Sequence, residues 1–137
     1  MPASPEPSAS DEAPSPGQGL AVAAESLYLI NLLLLPGLAF LALLWLYFRR
    51  RDAAAPPLAR GHLRQTLSAS LWAGVLLVIA NLLIVALGGY DSGWTWVVVI
   101  LYFTTAHTTL VVFGILGLAR ALAGQPFRYP LVGNLLP

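Results

Sequence analysis

The chain has 137 residues, of which 58% are hydrophobic and only 9% charged, with a mean hydropathy of +0.76. Soluble domains carry about a quarter charged residues, so this composition excludes a protein built for water and points to a lipid bilayer. Cysteine is absent, which excludes a disulfide framework, thiol chemistry and a thiolate metal site; no nucleic-acid partner and no cofactor are expected.

Residues 1–25 open with "MPASPEPSASDEAPSPGQG", a Pro/Ser/Ala/Glu stretch with too little apolar surface to offset the entropy of ordering. A disordered tail is expected there, followed by one membrane domain over residues 26–137. The tail has no basic leader of the secretory kind.

Three stretches, 27–48, 67–90 and 94–118, contain no Asp, Glu, Lys or Arg. A hydrocarbon core of about 30 Å needs about 20 helical residues, so each is expected to span. The first contains "LLPGLAF", where Pro36 removes a backbone hydrogen bond and Gly37 weakens the same turn, predicting a kink. The fold class predicted is an all-α membrane protein with three transmembrane helices.

The connector over 49–66 carries Arg49, Arg50, Arg51, Arg60 and Arg64 against the single acid Asp52. By the positive-inside rule this basic anchor lies in the cytoplasm, against anionic headgroups. With three spans, the acidic tail and the turn "GGYDSG" at 88–93 then face outward, and Arg120 and Arg128 return inside. The expected orientation is N-out and C-in, in a bacterial inner membrane. Tyr28, Tyr90, Trp94 and Trp96 would form an outer aromatic belt, and Trp45, Tyr47 and Trp72 an inner one.

Three pieces recur in a recognisable order: "WLYFRRRD" closing the first helix, "GHLRQTLSASLW" opening the second, and "ARALAGQPFRYPL" closing the third. Together they resemble a family of small, uncharacterised bacterial membrane proteins. That family is distantly similar to the twenty-kilodalton subunit of the chloroplast inner-envelope import translocon. The likeness covers residues 26–132. His62, Gln65 and Leu67 fit the second piece, with Ser68 and Ser70 where Asn and Gln are usual. Ala121, Gly124, Phe127, Arg128, Tyr129 and Pro130 fit the third. The resemblance implies a membrane fold and no reaction.

Inside the third stretch, "LYFTTAHTTLVV" (101–112) places His107 near mid-bilayer among Thr104, Thr105, Thr108 and Thr109. Threonine hydroxyls can bond carbonyls three or four residues back. An intramembrane histidine needs a partner, and Asn81 is expected level with it across the hairpin. The polar cluster Asn81, Thr104, His107 and Thr108 is then either an interhelical peg or a proton-relay or ligand group. Metal or haem binding lacks co-ligands, because His62 lies in the connector. Gly114, Gly117, Ala121 and Gly124, with Ser70 and Gly74, offer close-approach faces.

These features predict a non-enzymatic integral membrane protein acting by association, either as an accessory subunit of a larger membrane complex or as a small homo-oligomer. The alternative is a transport or translocation component with a polar path through the His107/Thr cluster.

Overall fold

Pro36 has no amide hydrogen to give to a helix, and the residue after it adopts a left-handed conformation, φ 87° at Gly37. That conformation suits glycine alone. The side chain of Asn31 completes the break, its Oδ1 accepting the Gly37 N–H at 3.0 Å. The amides of Leu34 and Leu35 both donate to the Ile30 carbonyl, at 2.9 and 2.8 Å. The apolar stretch 27–48 is therefore two helices joined by a tight turn.

The computed structural model describes residues 13–50 and 54–133. All its regular elements are helical: α1 Gln18–Leu33, α2 Leu38–Arg50, α3 Pro57–Ala86, α4 Trp94–Leu101 and α5 Thr108–Leu122. A π-helical segment, Tyr102–His107, joins α4 to α5, so Trp94–Leu122 runs as one rod. Of the expected tail, residues 1–12 lie outside the described residues, and so does Arg51 of the basic anchor.

Where α2 points follows from chain reach. A Cβ added to Gly17 would lie 2.9 Å from Cβ of Pro56, so the start of α1 touches the start of α3. Six Cα–Cα steps separate Arg50 from Pro56 and reach at most about 20 Å. Were α2 to continue the course of α1, Arg50 would lie about 45 Å from Gln18. The two helices must double back as a hairpin. Packing agrees, since Leu20 and Ala24 of α1 share a core cluster with Leu43, Leu46 and Tyr47 of α2 and with Leu63 and Leu67 of α3.

This corrects four expectations. Two helices, not three, are long and apolar enough to cross a membrane: Pro57–Ala86 at mean hydropathy 2.3 and Trp94–Leu122 at 1.8. At 16 and 13 residues, α1 and α2 are only about 24 and 20 Å long, each short of a bilayer core. The N-terminal end is not opposite the connector. Gln18 Nε2 donates to the Leu122 carbonyl at 2.7 Å, so the start of α1, the connector and the end of α5 meet at one end, here called the base. Helix α1 also begins inside the stretch expected as tail, where Leu20–Ala24 pack on neighbours. Finally, α3 takes in residues 57–66, so Arg60, His62 and Arg64 are helical and the connector is shorter than expected.

The aromatic belts change with the topology. Tyr28 is a core residue with no exposed surface, and Trp72 sits about 22 Å along α3 from the base. Trp94 and Trp96 remain exposed at the far end, at 59% and 70%. Leu33, Leu34, Leu35 and Leu38 are exposed at the hairpin tip, as are many large apolar residues along the outer half of α3. A protein in water rarely presents such continuous apolar faces.

Because the chain has no native cysteine, sidedness can be read with single substitutions. In sealed vesicles, Ala13→Cys and Ala54→Cys should react with an impermeant maleimide from the same face, and Asp91→Cys from the opposite one. Labelling of positions 13 and 54 from opposite faces would restore three full crossings.

Candidate functional site

About 8–10 Å above the base, α1, α3 and α5 pack around a carboxylate. Glu25 of α1 has no exposed surface, although it is ionisable. Its side chain rests on Gly117 of α5, where an added Cβ would stand 2.5 Å from Oε2. Only glycine leaves this seat open. One turn away, a Cβ on Gly114 would meet Leu29 and Tyr28 at 2.6 and 2.9 Å. With Ala121 fully buried on the same face, the small residues of α5 let α1 approach closely. Tyr28 Oη donates to the Leu110 carbonyl at 3.0 Å and adds a polar tie between the same helices.

Helix α3 supplies His62 and Gln65, three residues apart on one face and both buried. His62 Nδ1 lies 2.5 Å from Glu25 Oε1, and its Nε2 lies 3.1 Å from the Gln125 carbonyl. Both ring nitrogens thus face acceptors, and the arrangement is satisfied by an imidazolium opposite a carboxylate. Gln65 Nε2 donates to the same Oε1 at 2.7 Å, while its Oε1 accepts the Tyr129 N–H at 3.2 Å. Those two bonds fix which way the amide points.

The segment after α5 closes the site. Gly124 is left-handed, φ 65°, and the Gln125 N–H donates back to the Arg120 carbonyl at 2.8 Å. This is a Schellman stop, and Pro126 prevents resumption of the helix. The stop presents the Gln125 carbonyl to His62. Residues 127–130 then carry Tyr129 into the core, fully buried among the rings of Tyr28, Phe113 and Phe127 at centroid distances of 5.5, 6.0 and 5.7 Å. Its hydroxyl donates to Glu25 Oε2. Burial first, and then the neighbouring Glu25 charge, hold the Tyr129 phenol far above its ordinary range, so it remains a donor.

Glu25 therefore receives three donors, from Tyr129, Gln65 and His62. A low-dielectric charge needs such compensation. The network is closed: its polar atoms are spent on one another. Among the described residues no group of three or more His, Cys, Asp or Glu could hold a metal ion.

The motif residues His62, Gln65 and Tyr129 are thus brought together, while Arg128 and Pro130 are exposed beside them. Glu25 is the residue that sequence reasoning missed, having been counted with the acidic tail. Its signal was position, three residues before Tyr28 and directly ahead of an apolar run.

The mid-bilayer cluster divides. Asn81 does not meet His107; its Nδ2 donates to the Leu77 carbonyl at 2.8 Å, and its Oδ1 accepts from Tyr90 Oη at 2.7 Å. Helix α3 ends at Ala86, so Asn81 lies about 8 Å from the turn while His107 lies about 20 Å along its rod. Thr104 and Thr108 donate to the carbonyls of Ile100 and Phe103, both at 2.7 Å, and Thr105 to that of Leu101. The Thr108 bond spans five residues, in keeping with the π register. The His107 ring rests against Phe103 and Tyr102, at 5.1 and 6.3 Å. Of the basic anchor, Arg49 stacks over Trp45 at 4.9 Å and Arg50 ends α2. Arg64 is exposed, about 10 Å along α3 from the base, and Arg60 is half-buried.

A model of the magnetosome magnetite crystal formation protein family (MamF/MmsF) matches residues 18–136, beginning at the first residue of α1. No curated protein and no solved structure matches. The match bears out a small membrane-associated family and lends no support to the likeness to the chloroplast translocon.

Removing one member of a buried pair leaves the other charge uncompensated, at a cost of about 3–5 kcal/mol. Glu25→Ala should lower unfolding stability in detergent by about that much, and Tyr129→Phe by about 1–3 kcal/mol. The double variant Glu25→Leu/His62→Leu should recover part of the loss. Equal stability of Glu25→Ala and the parent, followed by circular dichroism, would show that the network does not hold the bundle. Gly117→Ala should cost about 1–3 kcal/mol by displacing the carboxylate from its donors.

Proposed function

The chain belongs to the magnetosome magnetite crystal formation protein family, and from that premise we propose that it serves crystal formation as a non-enzymatic subunit embedded in the magnetosome membrane. It acts by association, with copies of itself or with a larger membrane complex. Helices α3 and α4–α5 cross the bilayer, and the α1–α2 hairpin enters from the base and turns back within it. A helix break at such depth is tolerated where side chains satisfy the freed backbone groups, and Asn31 accepts the Gly37 N–H.

The observation that carries this reading is the closed state of the Glu25 network. A hydrolytic or group-transfer site needs a reactive atom open to substrate. Here the carboxylate, imidazole, amide and phenol are engaged with each other in the core. The threonine hydroxyls of the rod are likewise turned onto their own helix, which does not favour a polar path lined by them.

Orientation follows from arginine. Arg49, Arg50 and Arg60 lie at or near the base, with Arg64 about 10 Å above it, and the positive-inside rule assigns this end to the cytoplasm. Both ends of the described chain then face the cytoplasm. Among the described residues, only the short turn carrying Tyr90 and Asp91 then reaches the enclosed side where a crystal grows. So small a surface suits a protein that works through neighbours within the membrane.

The test is complementation. Produced in a magnetite-forming bacterium deprived of its own family member, the chain should fractionate with magnetosome membranes and restore crystal dimensions, measured by electron microscopy. It should also co-purify with a tagged second copy or a membrane partner in mild detergent. Membrane insertion with unchanged, defective crystals, or a solitary particle at every concentration, would overturn the reading.

A further inference from the structure

About 20 Å above the base, a cavity of about 440 Å³ lies between the hairpin tip, α3 and the π-helical segment, open on one side. Its walls include Asn31 and Phe40 of the hairpin, Ser70 and Gly74 of α3, and Tyr102 and His107 of the π segment. Ser70 and Gly74, a spacing that elsewhere seats a neighbouring helix, here border empty space: a Cβ on Gly74 would meet nothing within 4 Å. The π register, a feature frequent at functional sites, brings both Tyr102 and His107 onto the wall.

The polar inventory defines what fits. Ser70 is 95% buried by its exposure of 5%, yet its Oγ has no hydrogen-bond partner. A buried hydroxyl left so is costly unless something meets it. Asn31 has committed its oxygen to the Gly37 amide, leaving its NH₂ as a donor. Tyr102 adds an O–H, and the His107 imidazole adds an N–H. Four groups on the walls can thus donate, and no Asp, Glu, Lys or Arg is among the described residues that line them. The complementary ligand is uncharged, carries acceptor oxygens and dissolves in lipid. Phe40, Tyr102 and Phe103 offer ring faces to a planar head. We propose that this cavity binds the head of a lipid-soluble quinone, its carbonyl oxygens accepting from Ser70 and from Asn31 or His107, with the hydrocarbon tail leaving through the open side into the bilayer.

Trp72, between the wall residues Leu71 and Ala73, provides a readout. Decyl-ubiquinone titrated into the purified full chain in micelles should quench tryptophan fluorescence saturably, at one quinone per chain. Gly74→Leu builds a side chain from a Cβ that meets nothing within 4 Å and should abolish the saturable phase. Ser70→Ala should weaken binding by about tenfold, the equivalent of one hydrogen bond. Circular dichroism checks that each variant keeps its helices. Absence of saturable quenching in the parent, or an unchanged titration in a folded Gly74→Leu, would overturn the proposal. Equal competition by a plain ten-carbon alkane would also overturn it, by showing a pocket for acyl chains only.

Discussion

A carboxylate placed in a helix core must be met by donors, and much of this architecture follows from that requirement at Glu25. Three chain segments far apart in sequence supply them: His62 and Gln65 from α3, and Tyr129 from beyond α5. The glycine at 117 exists where the carboxylate needs room. The Schellman stop at Gly124 is placed so that the next carbonyl meets the far nitrogen of His62. Packing alone would leave α1 free to slide along α5, since small residues make a smooth face. A fixed charge with three directed partners removes that freedom and sets register.

The second constraint is backbone satisfaction at the hairpin tip. A proline in an apolar run can kink a helix or end it, and the outcome depends on what accepts the freed groups. Here Asn31 takes the Gly37 amide and Ile30 takes two others, so the turn closes on itself. The consequence reaches the whole topology. A kinked helix would have carried the start of the chain to the far face. The turn returns it to the base, where Gln18 meets the end of α5.

Composition made the membrane association and the two long apolar helices legible, because uncharged stretches as long as 67–90 and 94–118 have few other uses. The grouping of His62, Gln65 and Tyr129 was also visible as an ordered motif. What pattern could not provide was distance. Whether "LLPGLAF" bends or reverses is decided by a side chain five residues before the proline and by contacts with residue 56. The depth of Asn81 depended on where α3 ends, and a shift of four residues moves a side chain about 6 Å. Glu25 was hidden by counting. Charge balance treats every acid in a tail alike, whereas burial distinguishes the one that faces the core.

Two polar regions therefore sit at different depths with opposite character. Near the base, donors and acceptors balance and space is filled, which is the signature of a part that holds shape. At mid-depth, a buried hydroxyl lacks a partner, space is empty and the helix is wound in π register. The same histidine chemistry thus has different consequences at positions 62 and 107. His62 has an acceptor on each nitrogen and contributes rigidity, while His107 rests on aromatic rings beside a cavity.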